Sequence, residues 1–185
     1  MSTEAIPTDP GYKILDGTPP TRDKIEAAQA EISVENLQKL QQSTSDLGFE
    51  RLGWGKKINS LLHDGLDLDN DEYLKILLNG AYKDAKTYMA DVVVWMQNPN
   101  QLQRVKAGRG RVFVYKAIEG VLGPQNGFFR IVEGSHLMNP NQIIKTNAKD
   151  IHLQPGQAII LDGDLVIEYP QAGGGVGLLK CFSKA

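Results

Sequence analysis

Val112-Phe113-Val114-Tyr115-Lys116-Ala117-Ile118-Glu119, then Gln125-Asn126-Gly127-Phe128-Phe129-Arg130-Ile131-Val132-Glu133-Gly134-Ser135-His136, then Leu153-Gln154-Pro155-Gly156-Gln157-Ala158-Ile159-Ile160-Leu161-Asp162-Gly163 decide how the chain folds. Each run is rich in β-branched or aromatic residues, and Asn-Gly, Pro-Gly and Asp-Gly between them are turn chemistry. Outward from these runs the same grammar gives strands over Asp91–Met96, Arg111–Ile118, Gly127–Val132, Asp150–Leu153, Gln157–Leu161, Asp164–Tyr169 and Val176–Phe182. Short strands in such a series imply a sandwich or a barrel.

Before residue 90 the pattern is helical. Ile25, Ala28 and Ile32 repeat at three and four, and Ser33 caps a second run carrying Leu37, Leu40 and Leu47. Asn70 or Asp71 caps a third, with Tyr73, Leu74, Leu77, Leu78 and Ala81 on one face, and Tyr82–Met89 continues the helical reading. Residues 1–20 hold Pro7, Pro10, Pro19 and Pro20 and read as an extended arm. The expected architecture is therefore α+β: an arm over 1–20, then one domain over 21–185. Its helical part (about 21–90) packs outside a β-barrel part (about 91–185).

The 185 residues, 41% hydrophobic and 23% charged, describe an ordinary folded chain with material for one core. A net charge of −2 disfavours a surface built to grip nucleic acid. The lone Cys181 excludes an intrachain disulfide framework and a multi-cysteine zinc site. No secretory signal is visible, and no stretch approaches the roughly 20 apolar residues of a membrane span. A soluble, cytoplasmic protein without membrane or nucleic-acid partners is expected.

Only His63, His136 and His152 are available as imidazoles. There is no HExxH, no Gly-x-Ser-x-Gly elbow, no Walker loop and no Gly-x-Gly-x-x-Gly after a strand, which removes most hydrolases and nucleotide enzymes. Asp67-Leu68-Asp69-Asn70-Asp71 opens like a calcium loop, but Glu72 stands where the turn needs glycine and Leu78 where a bidentate carboxylate is required. Arg104, Lys106, Arg109 and Arg111 form the strongest positive cluster, suited to a carboxylate or phosphate or to a solvated loop. Gly173-Gly174-Gly175 reads as a flexible connection or an anion cradle.

The three opening runs resemble the phytanoyl-CoA dioxygenase-like branch of the Fe(II)/2-oxoglutarate oxygenases, over residues 92–182. The resemblance implies a double-stranded β-helix of the jelly-roll or cupin kind. It also implies iron held by a His-x-Asp pair and a distal His, with an Arg beyond it for 2-oxoglutarate. Placed on this chain, the pair falls at Met96 and Asn98, the distal His at Ile167 beside Glu168, and Lys180 is the nearest substitute for the Arg. A thioether, an amide and an isoleucine do not make the two-imidazole, one-carboxylate face that non-haem iron needs. The expectation is a degenerate oxygenase-like jelly roll with no metal and no cofactor, binding a small molecule or a protein. Its pocket would be lined by Trp95, Met96, Asn98, Tyr115, Arg130, Ile167, Glu168 and Lys180. Two alternatives stay open: an Fe(II)- and 2-oxoglutarate-dependent oxygenase with other ligands, and a metal-free isomerase or cyclase using Glu168, paired with Lys180, as acid or base. Apolar helical faces beyond the needs of a small barrel also suit a homo- or hetero-oligomer.

Overall fold

Strand β1 (Tyr12–Leu15) is followed by helices α1 (Arg22–Gln29) and α2 (Val34–Gln41), strand β2 (Phe49–Leu52), and helices α3 (Lys56–His63) and α4 (Glu72–Leu78). Then come β3 (Thr87–Trp95), β4 (Arg104–Lys106), β5 (Arg111–Ala117), β6 (Arg130–Val132), α5 (Pro140–Lys145), β7 (Ala158–Asp162), β8 (Val166–Glu168) and β9 (Val176–Ser183). This computed structural model describes residues 9–100 and 104–184; the first part of the proline-bearing arm, Pro7 included, lies outside that set. Among the described residues no helix is long and apolar enough to cross a membrane.

The strands form two antiparallel sheets, one ordered β1-β7-β5-β9-β3-β2 and one ordered β4-β8-β6. Alternation along the larger sheet turns Val93, Trp95, Phe113, Tyr115, Leu179 and Cys181 inward, where they meet Phe128, Phe129, Ile131, Leu165 and Ile167. The residues between them, Val92, Val112, Val114, Ile160, Leu178 and Phe182, face the opposite way and are buried under helices. Helix α4 and Tyr82 cover one part of that outer face, and α1 and α3 cover another. A sheet apolar on both faces must be covered on both, which is why β7 is an unbroken buried run.

The arm read over 1–20 contains an element of its own. Strand β1 pairs with β7, Tyr12 opposite Leu161 and Leu15 opposite Ala158, and closes one edge of the larger sheet. The other edge is closed by β2, whose Phe49 lies opposite Trp95. Two readings of local structure change. Tyr82–Met89 forms only a 3-10 turn over Tyr82–Asp84 before β3 begins at Thr87. Asp150–Leu153 keeps the alternation of a strand, with Ile151 and Leu153 buried, but it finds a single bridging partner, Leu122, and forms no ladder.

Helix ends are satisfied in two ways. Ser33 and Asp71 are local caps, accepting the amides of Asn36 and Leu74. Helix α3, which the periodicity reading passes over, is held by charges from elsewhere. The Glu31 carboxylate accepts the amides of Lys57 and Ile58 at 3.0–3.1 Å, and these bonds hold Glu31 below the ordinary carboxylate range. At the other end the fully buried Lys116 of β5 donates to the carbonyls of Leu61 (2.8 Å), Leu62 (3.2 Å) and Asp64. An anion at the N-terminus and a cation at the C-terminus both match the helix dipole.

Candidate functional site

The space between the sheets does not fill completely. At the end where β2, β3 and the β4–β5 turn meet, a cavity of about 570 Å³ opens. Trp95, Phe113, Tyr115, Leu179 and Cys181 from the larger sheet form one wall, because alternation sets each of them inward. Ile167 at β8 and Tyr169 just beyond it form the other. Arg51, Lys106, Arg109 and Arg111 stand at the mouth with the carboxylates of Asp46 and Glu50.

Of the residues named from sequence, Trp95, Asn98, Tyr115 and Ile167 come together around this cavity. Met96 is buried but outside its lining. Glu168 follows inward-facing Ile167 and so takes the outer face of the smaller sheet, where Arg104 Nε holds one carboxylate oxygen at 2.7 Å and Arg130 Nη1 the other at 3.4 Å. Arg130 also reaches Asp150 at 2.6 Å. Lys180, preceding inward-facing Cys181, lies on the outer face of the larger sheet with its Nζ 3.3 Å from the Tyr82 hydroxyl. Glu168 and Lys180 therefore sit on opposite outsides of the sandwich and do not form an acid–base pair.

The histidines are equally dispersed. His63 Nε2 lies 3.2 Å from the Tyr82 hydroxyl, and burial together with the Lys180 charge lowers its pKa. His136 Nε2 is 3.5 Å from Asp9 Oδ2, its Nδ1 buried without a partner in the described structure. His152 is exposed beside Gly123, between the buried Ile151 and Leu153. None of the three lines the cavity. Among the described residues no three of His, Cys, Asp and Glu gather in a group able to hold a metal ion.

Inside the cavity the polar groups are neutral donors. Burial pushes the Tyr115 and Tyr169 hydroxyls well above the ordinary phenol value, and it raises the Cys181 thiol to about 11. All three stay protonated through the neutral range. Neither tyrosine hydroxyl has a hydrogen-bond partner among the described residues. At the mouth, Arg51 reaches Asp91 at 3.3 Å, Arg111 lies 3.5 Å over the Tyr88 ring and reaches Ser183 Oγ at 2.9 Å, and Lys106 is 3.8 Å from Asp164. Arg109 is exposed and has no acidic partner among the described residues.

The remaining sequence features resolve differently. Arg104, one of the basic cluster, turns away to Glu168 and to the carbonyl of Ile143. Gly173–Gly175 extends the pairing of β9 and β3: the Gly174 amide donates to the Trp95 carbonyl at 2.7 Å, and the Trp95 amide donates to that of Gly175 at 2.8 Å. A Cβ on Gly173 would lie 2.2 Å from the Gln97 nitrogen, so glycine is required there by close backbone approach. Phe113, Tyr169 and Cys181 are lining residues that the sequence reading did not name. Phe113 and Tyr169 lie two positions from Tyr115 and Ile167, and strand parity alone places them on the same walls. Arg51 carries no comparable signal, since β2 is four residues long, exposed at its two central positions, and does not read as a strand in the sequence.

No family model matches the sequence, and no curated protein matches it. Solved structures do. SnoN, a non-heme alpha-ketoglutarate-dependent epimerase of nogalamycin biosynthesis, superposes with a TM-score of 0.61 at 14% identity, over 95% of this chain and 77% of its own. HygX from Streptomyces hygroscopicus, solved with nickel, 2-oxoglutarate and hygromycin B, gives 0.59 at 13% identity over 95% and 83%. The alpha-ketoglutarate-dependent carbocyclase SnoK gives 0.54 at 13% over 100% and 85%. The chain has their fold. At such identities the likeness establishes architecture and leaves chemistry to the residues present.

Proposed function

We propose that this protein uses an oxygenase-type jelly roll as a binding module that works without iron, holding a small molecule in the cavity between its sheets. The observation that carries this reading is the donor set. Non-haem iron in such folds needs two imidazoles and a carboxylate converging on one point, and the cavity wall offers hydroxyls, a thiol with a raised pKa, the Asn98 and Asn100 amides and no imidazole. Its carboxylates, Asp46 and Glu50, share the mouth with four cationic side chains that oppose a metal ion. These residues do not fit the metal. A concave apolar space with a few polar groups remains, which is the usual form of a ligand site.

The test is metal analysis of the purified protein, followed by anaerobic titration with Fe(II) and 2-oxoglutarate. The expected result is substoichiometric iron and no visible charge-transfer band. One iron per chain together with that band would overturn the reading and favour the oxygenase alternative.

A further inference from the structure

The chemistry of the cavity also limits what it accepts. Resting on the small-molecule reading above, we infer that the ligand is a planar aromatic anion carrying a carbonyl or similar acceptor oxygen on its ring system.

Three independent observations converge on that class. First, the walls are aromatic. Trp95, Phe113 and Tyr115 lie side by side on the inner face of the larger sheet, Phe113 and Tyr115 with ring planes only 17° apart, and Tyr169 faces them from the other side. Flat π surfaces favour a flat partner over a branched aliphatic one. Second, Tyr115 and Tyr169 line the cavity, and their hydroxyls are donors with no acceptor among the described residues. A ligand oxygen placed between the walls would accept a hydrogen bond from them. Third, the mouth is cationic: Arg51, Lys106, Arg109 and Arg111 outnumber Asp46 and Glu50. Arg51 and Arg111 are already engaged, by Asp91 and by Tyr88 and Ser183, whereas Arg109 is uncommitted and Lys106 only loosely paired at 3.8 Å. A carboxylate projecting from the bound rings would meet these two side chains. This assigns the forward part of the basic cluster a role that Arg104, turned to the outside of the smaller sheet, does not share.

The experiment uses the full chain bearing Trp54→Phe, which leaves Trp95 as the only tryptophan and so as a reporter within the cavity. Three probes are titrated, with quenching and calorimetry read together: anthraquinone-2-carboxylate, the neutral 2-(hydroxymethyl)anthraquinone, and anthracene-2-carboxylate, which lacks the ring carbonyls. The expected result is saturable one-to-one binding of anthraquinone-2-carboxylate, about tenfold tighter than the neutral alcohol, the equivalent of about 1.4 kcal/mol. Lys106→Gln with Arg109→Gln abolishes that preference and leaves the alcohol unaffected. Tyr115→Phe with Tyr169→Phe abolishes the preference for the quinone over the anthracene. Equal affinity for the alcohol and the carboxylate overturns the anionic class while the cavity-binding reading stands. Failure of every probe to quench Trp95 in a folded protein overturns both. An iron centre found by metal analysis overturns only the iron-free reading and leaves this ligand class to its own titration.

Discussion

Replacing Lys116 by methionine keeps most of the apolar stem and removes the ammonium that ties β5 to the end of α3. The side chain is fully buried, and its three acceptors are the carbonyls of Leu61, Leu62 and Asp64. Burial draws its pKa from 10.5 to about 8. Keeping it charged inside the fold therefore costs about 3 kcal/mol, at about 1.4 kcal/mol per pH unit. Against this, the buried carbonyls of Leu61 and Leu62 and the part-buried one of Asp64, left without a donor, cost about 1–3 kcal/mol each. The unmet carbonyls, about 3–9 kcal/mol together, match or outweigh the relief of desolvation, and the variant should be less stable at neutral pH by up to about 6 kcal/mol. The pH dependence is more diagnostic. The folded chain gives up this proton near pH 8 and the unfolded chain near 10.5, so unfolding takes up a proton in that window. Stability contributed at this site consequently rises with pH between those values in the wild type and not in the variant. Urea denaturation of both proteins from about pH 7 to about pH 10 reads the difference directly, other titrations cancelling between them. A difference that stays constant across the range, or a variant clearly more stable than the wild type at neutral pH, would refute the argument.

Glu31→Gln weakens the cap on the first turn of α3. Because Glu31 is held below the ordinary carboxylate range, its contribution is present above the unfolded-state pKa and lost as pH falls through the folded one, so chemical denaturation at neutral and acid pH should show the wild type's advantage only at neutral pH. Gly173→Ala places a Cβ 2.2 Å from the Gln97 nitrogen and 2.3 Å from the Met96 carbonyl carbon. Since backbone cannot yield there, a loss of at least about 2 kcal/mol is expected in denaturant melts, with the end of β3 losing amide-exchange protection first. Glu168→Gln leaves Arg104 and Arg130 without their shared carboxylate. It should lower stability by about 1–2 kcal/mol, between the values for exposed and buried pairs, while leaving probe binding in the cavity unchanged in calorimetry.

What could be read before the structure was whatever is decided locally. Strands β5, β7 and β9 announce themselves through β-branched residues and flanking turns, and α2 and α4 through Ser33 and Asp71, caps only three residues from the amides they satisfy. Helix α3 escaped because its caps, Glu31 and Lys116, are remote in sequence. Strands β1 and β2 are four residues each and half exposed, so they lack the apolar density that marks a strand. In the cavity, Trp95, Tyr115 and Ile167 were legible as inward residues. Neighbouring positions could not join them: adjacent side chains in a strand take opposite faces, which sends Glu168 and Lys180 outward however well a motif aligns.

The two short strands at the margins of the larger sheet carry a practical consequence. Compositional change near residue 90 invites excision of the β-rich half for expression or crystallisation. Such a fragment would lose β1 and β2 together and bare the backbone amides and carbonyls of β7 and of the apolar end of β3 to any strand that came near. Aggregation through those edges is what a shortened version should be expected to do.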